Sequence, residues 1–257
     1  MPQINPCHLE DIEADLAKSQ SDLSFVFHTC SGTNIGLVRT TNEDAFYVDE
    51  KKGLWLVADG MGGQLRGDKA SASVIDNIRS FTPLETLTES IKDLETRFLL
   101  ANNTCRNMYG KKVVGSTVAA LFAYRSLAIF LWAGDSRIYR LRDGVLALMT
   151  EDHCLAQERF RRGEISRDEA QLLPSANVLT RAIGIHQNLR IEMQSAVIQS
   201  GDRYLISSDG LYREFAFDEV QNMLRGNAPE KILKKITCQA LERGGKDNIT
   251  GILMTVS

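Results

Sequence analysis

The stretch V-V-G-S-T-V-A-A-L-F-A-Y-R-S-L-A-I-F-L-W-A, Val113 to Ala133, decides the architecture. It is long and apolar enough to cross a bilayer as a single helix, with Arg125 as its only charge. Arg125 and Ser126 fall in its middle, however, and Gly115 to Thr117 weaken its start. Its two halves, Val118 to Tyr124 and Leu127 to Ala133, therefore read as buried β-strands joined in a hairpin, and no membrane insertion is expected.

Working outward, short β-branched or aromatic runs predict further strands at Phe25 to Thr29, Ala45 to Val48, Leu54 to Ala58, Ile138 to Leu141, Leu189 to Ile198, Tyr204 to Ser207 and Ile249 to Val256. Helical spacing is clearest from Leu84 to Met108, where Leu84, Leu87, Ile91, Leu94, Phe98 and Ala101 form one stripe. Lys69 to Phe81, Asp218 to Leu224 and Pro229 to Leu241 also read as helices, the last with Pro in its first turn. Many consecutive strands are joined by tight turns rather than by helices. That favours an antiparallel α+β sheet system with helices packed outside over a doubly wound parallel sheet.

The chain has 257 residues, 43% of them apolar and 25% charged, proportions that exclude disordered and fibrous classes. Thirty basic against thirty-three acidic residues give a formal charge of −3, so no global field attracts polyanions and nucleic acid is not an expected partner. Five scattered cysteines without a C-x-x-C pair indicate neither a disulfide framework nor a thiolate zinc site, and a reducing cytoplasm is the expected home. Residues 1–23 form an acidic leader without signal-peptide character, expected to be mobile, and residues 24–257 read as one domain. Within it, Glu151 to Leu173 turns polar and charged and reads as a surface excursion, a solvated helical pair in preference to a partner-contacting face.

The chemical signal is a repeated pattern in which an apolar run meets an aspartate beside a small residue. Leu54 to Ala58 runs into Asp59-Gly60, Ile129 to Ala133 into Gly134-Asp135, and Tyr204 to Ser207 through Ser208 into Asp209-Gly210. Asp247-Asn248 opens the last strand. Each alone is an ordinary turn former; four together, with no histidine or thiolate nearby in sequence, suit hard cations such as Mg²⁺ or Mn²⁺. Two such ions about 3.5 to 4 Å apart would activate water and neutralise phosphate oxygens, which describes phosphoester hydrolysis. Arg39, five residues before Asp44, is the candidate guanidinium to grip the phosphate. Gly60, Gly62 and Gly63 permit close backbone approach, and the Gly60 carbonyl is itself a candidate ligand. No cysteine-phosphatase loop, G-x-S-x-G elbow or P-loop is present.

With those residues in hand, the chain resembles the metal-dependent Ser/Thr protein phosphatases of type 2C, in their compact bacterial form. The motifs fall in the family's order: Gly36 to Asp44, Val57 to Gly63, Gly115 to Thr117, Trp132 to Arg137, Leu179 to Gly184, Ser207 to Leu211 and Lys246 to Thr250. The resemblance implies a four-layer αββα sandwich of two antiparallel sheets flanked by helices, with a metal pair at one end between them. It implies that Asp59 bridges the metals, the Gly60 carbonyl binds one, and Asp209 and Asp247 complete the other. Glu43 and Asp44 would act through metal-bound waters, Arg39 would hold the substrate phosphate, and Asp135 with Asp209 would form a weaker third site. The polar excursion would be the family's flap. Met61 stands where many eukaryotic members carry a histidine, so a histidine general acid is not expected there.

The implied function is a cytoplasmic, monomeric phosphatase acting on phosphoSer and phosphoThr of partner proteins and opposing a Ser/Thr kinase. Two rivals remain at this level. One is a phosphatase-like binding or regulatory module without turnover, whose signature would be a missing metal carboxylate. The other is a two-metal hydrolase of nucleotides or nucleic acid, which the acidic balance disfavours.

Overall fold

A computed structural model describes residues 9, 12–13, 25–62, 66–108, 113–166, 169–170, 173, 178–226 and 228–257. Its first sheet has the strand order β1 (Phe27–Asn34), β11 (Ile249–Val256), β10 (Arg203–Ser207), β7 (Arg137–Arg142), β8 (Val145–Leu148). The second runs β2 (Asp44–Asp49), β3 (Leu54–Met61), β5 (Val118–Tyr124), β6 (Leu127–Ala133), β9 (Glu192–Val197), with the two-residue β4 (Gly115–Ser116) pairing onto the end of β3. Pairing is antiparallel throughout both sheets.

The stretch that decided the architecture is the β5–β6 hairpin, in register from Val118 opposite Ala133 to Tyr124 opposite Leu127. Its two-residue turn puts Arg125 at φ 53°, a left-handed conformation that costs about 1–2 kcal/mol in a residue with a Cβ. The strands are apolar on both sides because both sides are covered. β3 shows how: Leu54, Leu56 and Ala58 pack with Val74, Ile78, Leu94 and Phe98 of α1 (Gly67–Arg79) and α2 (Leu87–Met108). Its alternate residues Trp55 and Val57 face the other sheet, meeting Tyr204, Ile206, Ile252 and Met254. Beyond that sheet, Leu205 and Leu253 point the opposite way, onto Leu211 of α4 (Asp209–Tyr212), Val220 and Leu224 of α5 (Phe217–Leu224), and Ile232 and Ile236 of α6 (Pro229–Glu242). Period-two alternation across two sheets thus produces the four αββα layers. Each large side chain buried in these seams contributes about 1.5–3 kcal/mol of transfer free energy.

Several elements depart from expectation. The first strand starts two residues late and runs on to Asn34. Leu84 lies outside its helix and is exposed, because Thr86 caps α2 and begins it at Leu87: Glu89 N–H donates to Thr86 Oγ1 at 3.1 Å, and that hydroxyl donates to Glu89 Oε2 at 2.9 Å. Strands β4 and β8 were not foreseen, although Asp143 and Gly144, at φ 50° and 76°, make the positive-φ turn that closes the β7–β8 hairpin. From the leader, Leu9 is buried in the helical layer, and Glu13 accepts hydrogen bonds from Leu87 N–H at 2.8 Å and Thr88 Oγ1 at 2.7 Å.

The polar excursion holds α3 (Leu155–Arg161), and its base is closed by a bridge between Cys154 and Leu179. Ser166 and Glu169 form a capping box in it, while Arg167 and Asp168 lie outside the described residues. Among the described residues no helix is long and apolar enough to cross a membrane.

Candidate metal centre between the sheets

The rows of side chains that face the inter-sheet core change character at one end. On β3 the row Trp55, Val57 continues to Asp59; on β2, Val48 and Phe46 continue to Asp44. On β11, Met254 and Ile252 lead to Thr250, and beyond β10, Ile206 leads to Ser208. Register makes the convergence specific, since Asp44 stands directly opposite Asp59. Turns bring in the rest: Asp135 after β6, Asp209 opening α4, and Asp247 just before β11.

A polar shell holds these carboxylates. Asp59 N–H donates to Thr117 Oγ1 at 3.0 Å, and that hydroxyl lies 2.6 Å from Ser136 Oγ. Ser208 Oγ donates to Asp44 Oδ2 at 2.8 Å and accepts from Thr250 N–H at 3.0 Å. Asp44 Oδ1 is buried without a hydrogen-bond partner, beside a Thr250 hydroxyl that pairs with Thr33 Oγ1 at 2.7 Å. Asn248 ties the loops together, accepting from Glu43 N–H at 2.8 Å and donating to the carbonyls of Ile35 and Thr41 at 2.9 and 3.1 Å. Glu43 Oε1 accepts from Gly67 N–H at 2.8 Å, at the N-terminus of α1 where a carboxylate is favoured.

Two glycines close the cradle. A Cβ on Gly60 would lie 2.1 Å from the Gly67 carbonyl oxygen, and one on Gly210 would lie 2.1 Å from that of Asn248. No side chain fits at either position.

Two guanidinia face the five aspartates. Arg39 Nη2 donates to Asp247 at 2.7 Å at the mouth, where the arginine side chain is 51% exposed. Arg213, one helical turn beyond Asp209, bridges Asp209 at 2.9 Å and Asp135 at 2.8 Å. The positive charge does not balance the negative. Burial, followed by the charges of Asp44, Asp209, Asp135 and Asp247, pushes the Asp59 carboxyl far above the ordinary aspartate range. Burial raises Asp44 to about 7, against the Ser208 hydrogen bond and the nearby Thr250 hydroxyl and with help from Asp209 and Asp247. Burial and Asp209 raise Asp135 to about 7 despite Arg213. Asp209 is raised by burial, opposed by Arg213 and reinforced by Asp247, and its carboxyl hydrogen-bonds with Asp59.

Among the described residues no three acidic, histidine or cysteine side chains close on one point; Ser208 takes up Asp44, Arg39 takes up Asp247, and Arg213 takes up Asp135 and Asp209. The donor set nevertheless fits hard divalent ions. It is all oxygen, it carries a buried carboxylate oxygen with no partner, and every shift just described would reverse with added positive charge.

Arg39, Glu43, Asp44, Asp59, Gly60, Asp135, Asp209 and Asp247 therefore lie at one end of the sandwich, while Gly63 lies outside the described residues. Missed were the residues that hold them: Thr117, Ser136, Ser208, Asn248, Thr250 and Arg213. Most sit inside the quoted motifs, and Arg213 was findable by its i,i+4 spacing from Asp209 in a helix.

The family model described as protein phosphatase 2C matches residues 37–253. A serine/threonine phosphatase of Listeria monocytogenes is 33% identical over 238 residues, covering 86% of this chain and 93% of its own. Among solved structures, PppA of Pseudomonas aeruginosa, described as a key regulatory component of its type VI secretion system, superposes with a TM-score of 0.82 at 35% identity, covering 91% of this chain and all of PppA. The catalytic domain of the serine/threonine phosphatase PstP, solved with two manganese ions, superposes at 0.80 with 27% identity, covering 91% of this chain and 99% of that one. Layer order, the acidic end of the sandwich and these likenesses agree, and the chain belongs to the protein phosphatase 2C family of metal-dependent hydrolases.

Proposed function

We propose that the chain hydrolyses phosphoserine and phosphothreonine in proteins, with two Mn²⁺ or Mg²⁺ ions held by Asp59, the Gly60 carbonyl, Asp209 and Asp247. Glu43 and Asp44 would hold water around them, and Asp135 with Asp209 would supply a weaker third position. Ions bound there provide a water of lowered pKa and positive charge for the phosphate oxygens. The chain's own residues do the rest. Arg39 stands at the mouth with its guanidinium already aimed by Asp247, suited to grip two phosphate oxygens in a fork. Ser208 and Thr117 fix Asp44 and the Asp59 backbone, so the donors need not reorganise when substrate arrives. With Met61 between Gly60 and Gly62, no imidazole stands there to protonate the leaving oxygen, which leaves that proton to water.

The observation that carries this reading is the buried meeting of Asp44, Asp59 and Asp209 under an arginine-bearing rim. Every carboxylate the reading needs is present, which argues against a binding module without turnover. A Ser/Thr kinase is the natural counterpart in the cell, and we infer a monomer acting in the cytoplasm. The test is hydrolysis of phosphoserine and phosphothreonine peptides and of nucleotides with added Mn²⁺. We expect peptide hydrolysis that EDTA and Asp209→Ala abolish; full activity in either, or faster nucleotide turnover, would overturn the assignment.

A further inference from the structure

The connection from β1 to β2 carries more than Arg39. Just before it, Ile35, Leu37 and Val38 are 39%, 68% and 65% exposed. Nowhere else among the described residues do three large exposed apolar side chains fall within four positions. Exposed aliphatics are ordinary one at a time; a cluster is a contact surface.

This cluster is held rather than loose. Leu37 N–H donates to the Gly245 carbonyl at 2.7 Å, Asn248 Nδ2 to the Ile35 carbonyl at 2.9 Å, and Gly36 N–H to Asn34 Oδ1 at 2.9 Å. Gly36 is at φ 81°, and a Cβ there would sit 2.3 Å from the Asp247 carbonyl oxygen, so the backbone is seated against the loop that supplies Asp247. Fixed backbone with exposed aliphatic side chains presents an apolar platform without an ordering cost on binding.

What covers it follows from position. Val38 is one residue from Arg39 and Leu37 two, steps of about 3.8 Å between Cα atoms, close to the advance of one residue along an extended peptide. The Arg39 guanidinium is turned onto Asp247, against whose carbonyl Gly36 is seated, so a side chain flanking a phosphoresidue gripped by Arg39 falls within reach of this cluster. A permanent occupant would lie over the mouth and obstruct it, so the surface suits a transient ligand. Resting on the phosphatase reading above, we propose that Ile35, Leu37 and Val38 form a subsite that selects phosphoprotein segments with an aliphatic side chain beside the phosphoserine or phosphothreonine.

Two phosphothreonine peptides, identical except for leucine or serine on both sides of the phosphoresidue, test this with Mn²⁺ present. The wild type should favour the leucine peptide by about tenfold in kcat/KM, the scale on which apolar pockets discriminate. In the Leu37→Ser/Val38→Ser double variant the ratio should fall to about one. Equal rates on the two peptides in the wild type, or a ratio unchanged in the variant, overturn the subsite and leave the phosphatase reading standing. If the wild type hydrolyses neither peptide, the phosphatase reading fails and the subsite with it. Sedimentation of both proteins provides the second measurement: a wild-type dimer that the double variant converts to monomer would assign the surface to a second copy and overturn the substrate assignment.

Discussion

The middle and the end of the inter-sheet face are built from the same strands, two residues apart, and they obey opposite rules. In the middle, Val57, Phe130 and Ile206 interlock without a polar atom to satisfy, and every contact stabilises the fold. At the end, Asp59, Asp44 and Asp209 are buried close together, and burial with the charge of neighbouring carboxylates pushes each above its ordinary range. The fold is strong where it is inert, and that strength holds together a cluster that would separate if it were free to. Stability stored in one region is used to preorganise charge in the other.

The largest expected effect breaks the comparison at Asp59. Asp59→Asn keeps the shape and removes the charge, and should lower Mn²⁺-dependent hydrolysis about a thousandfold, near 4 kcal/mol in the barrier. Stability should move the other way. The Asp59 carboxyl is raised in the fold, so the folded state holds its proton more tightly than the unfolded chain. Stability is then lost as pH rises past the ordinary aspartate range, and at neutral pH the charged residue destabilises the metal-free protein. Thermal melting under EDTA at neutral pH should show Asp59→Asn melting above the wild type. A lower melting point would mean that the carboxylate cluster supports the fold.

The converse variant is Phe130→Ala. Phe130 is fully buried and packs against the Tyr204 ring at 6.0 Å between centroids. Its truncation should cost about 3–5 kcal/mol in denaturant unfolding. The fraction that remains folded should keep its kcat on phosphopeptide, because that ring packs in the apolar cluster with Val57, Tyr204 and Ile206. A fall in kcat parallel to the fall in stability would show that middle and end are coupled.

The same contrast explains what the sequence disclosed. The middle was legible because apolar alternation is long-ranged along a strand: β5, β6 and β11 have the ends their apolar runs predict. Short elements carry no such period. β4 has two residues, and α4 has four that also serve as an aspartate-glycine turn. At the site, Asp59, Asp209 and Asp247 were readable because carboxylates at strand ends are chemically conspicuous. Thr117, Ser208 and Asn248 were not, since a threonine or serine in a turn has many local uses and only the register of two sheets shows which carboxylate it serves. His153 is a junction that no motif marks: its Nδ1 accepts from Gly134 N–H at 3.1 Å and its Nε2 lies 3.6 Å from Glu192.

That junction sets the third prediction, at the border between the two regions. Burial alone would raise Glu192, but the nearby His153 and the hydrogen bond from Arg181 at 2.6 Å prevail and hold it at about 2. A carboxyl lowered in the fold adds stability that is complete above about pH 4.5 and disappears as pH falls toward 2. Glu192→Gln should therefore melt lower than wild type at pH 7, by about 2 kcal/mol, and the gap should close below pH 3. A gap that persists unchanged at pH 2.5 would show that packing, not charge, is what Glu192 supplies.

The smallest effect sharpens the comparison most, because it separates shape from polarity at one atom. Thr117 belongs to both regions: its Oγ1 accepts the Asp59 N–H at 3.0 Å, while its Cγ2 would be 2.6 Å from a Cβ on Gly134. Thr117→Val keeps the methyl contact and removes the hydroxyl, leaving the Asp59 N–H and Ser136 Oγ to find other partners. Thr117→Ser does the reverse. If the end of the face is governed by polar positioning, Thr117→Val should weaken Mn²⁺ binding about tenfold in calorimetry, the lower end of what partners behind metal ligands contribute. Thr117→Ser should stay within about twofold of wild type and lose stability instead, on the order of 1 kcal/mol for one buried methyl. Equal Mn²⁺ affinities in the two variants would mean that the Asp59 backbone is positioned by strand pairing alone, and that the division between an apolar middle and a polar end does not reach down to single atoms.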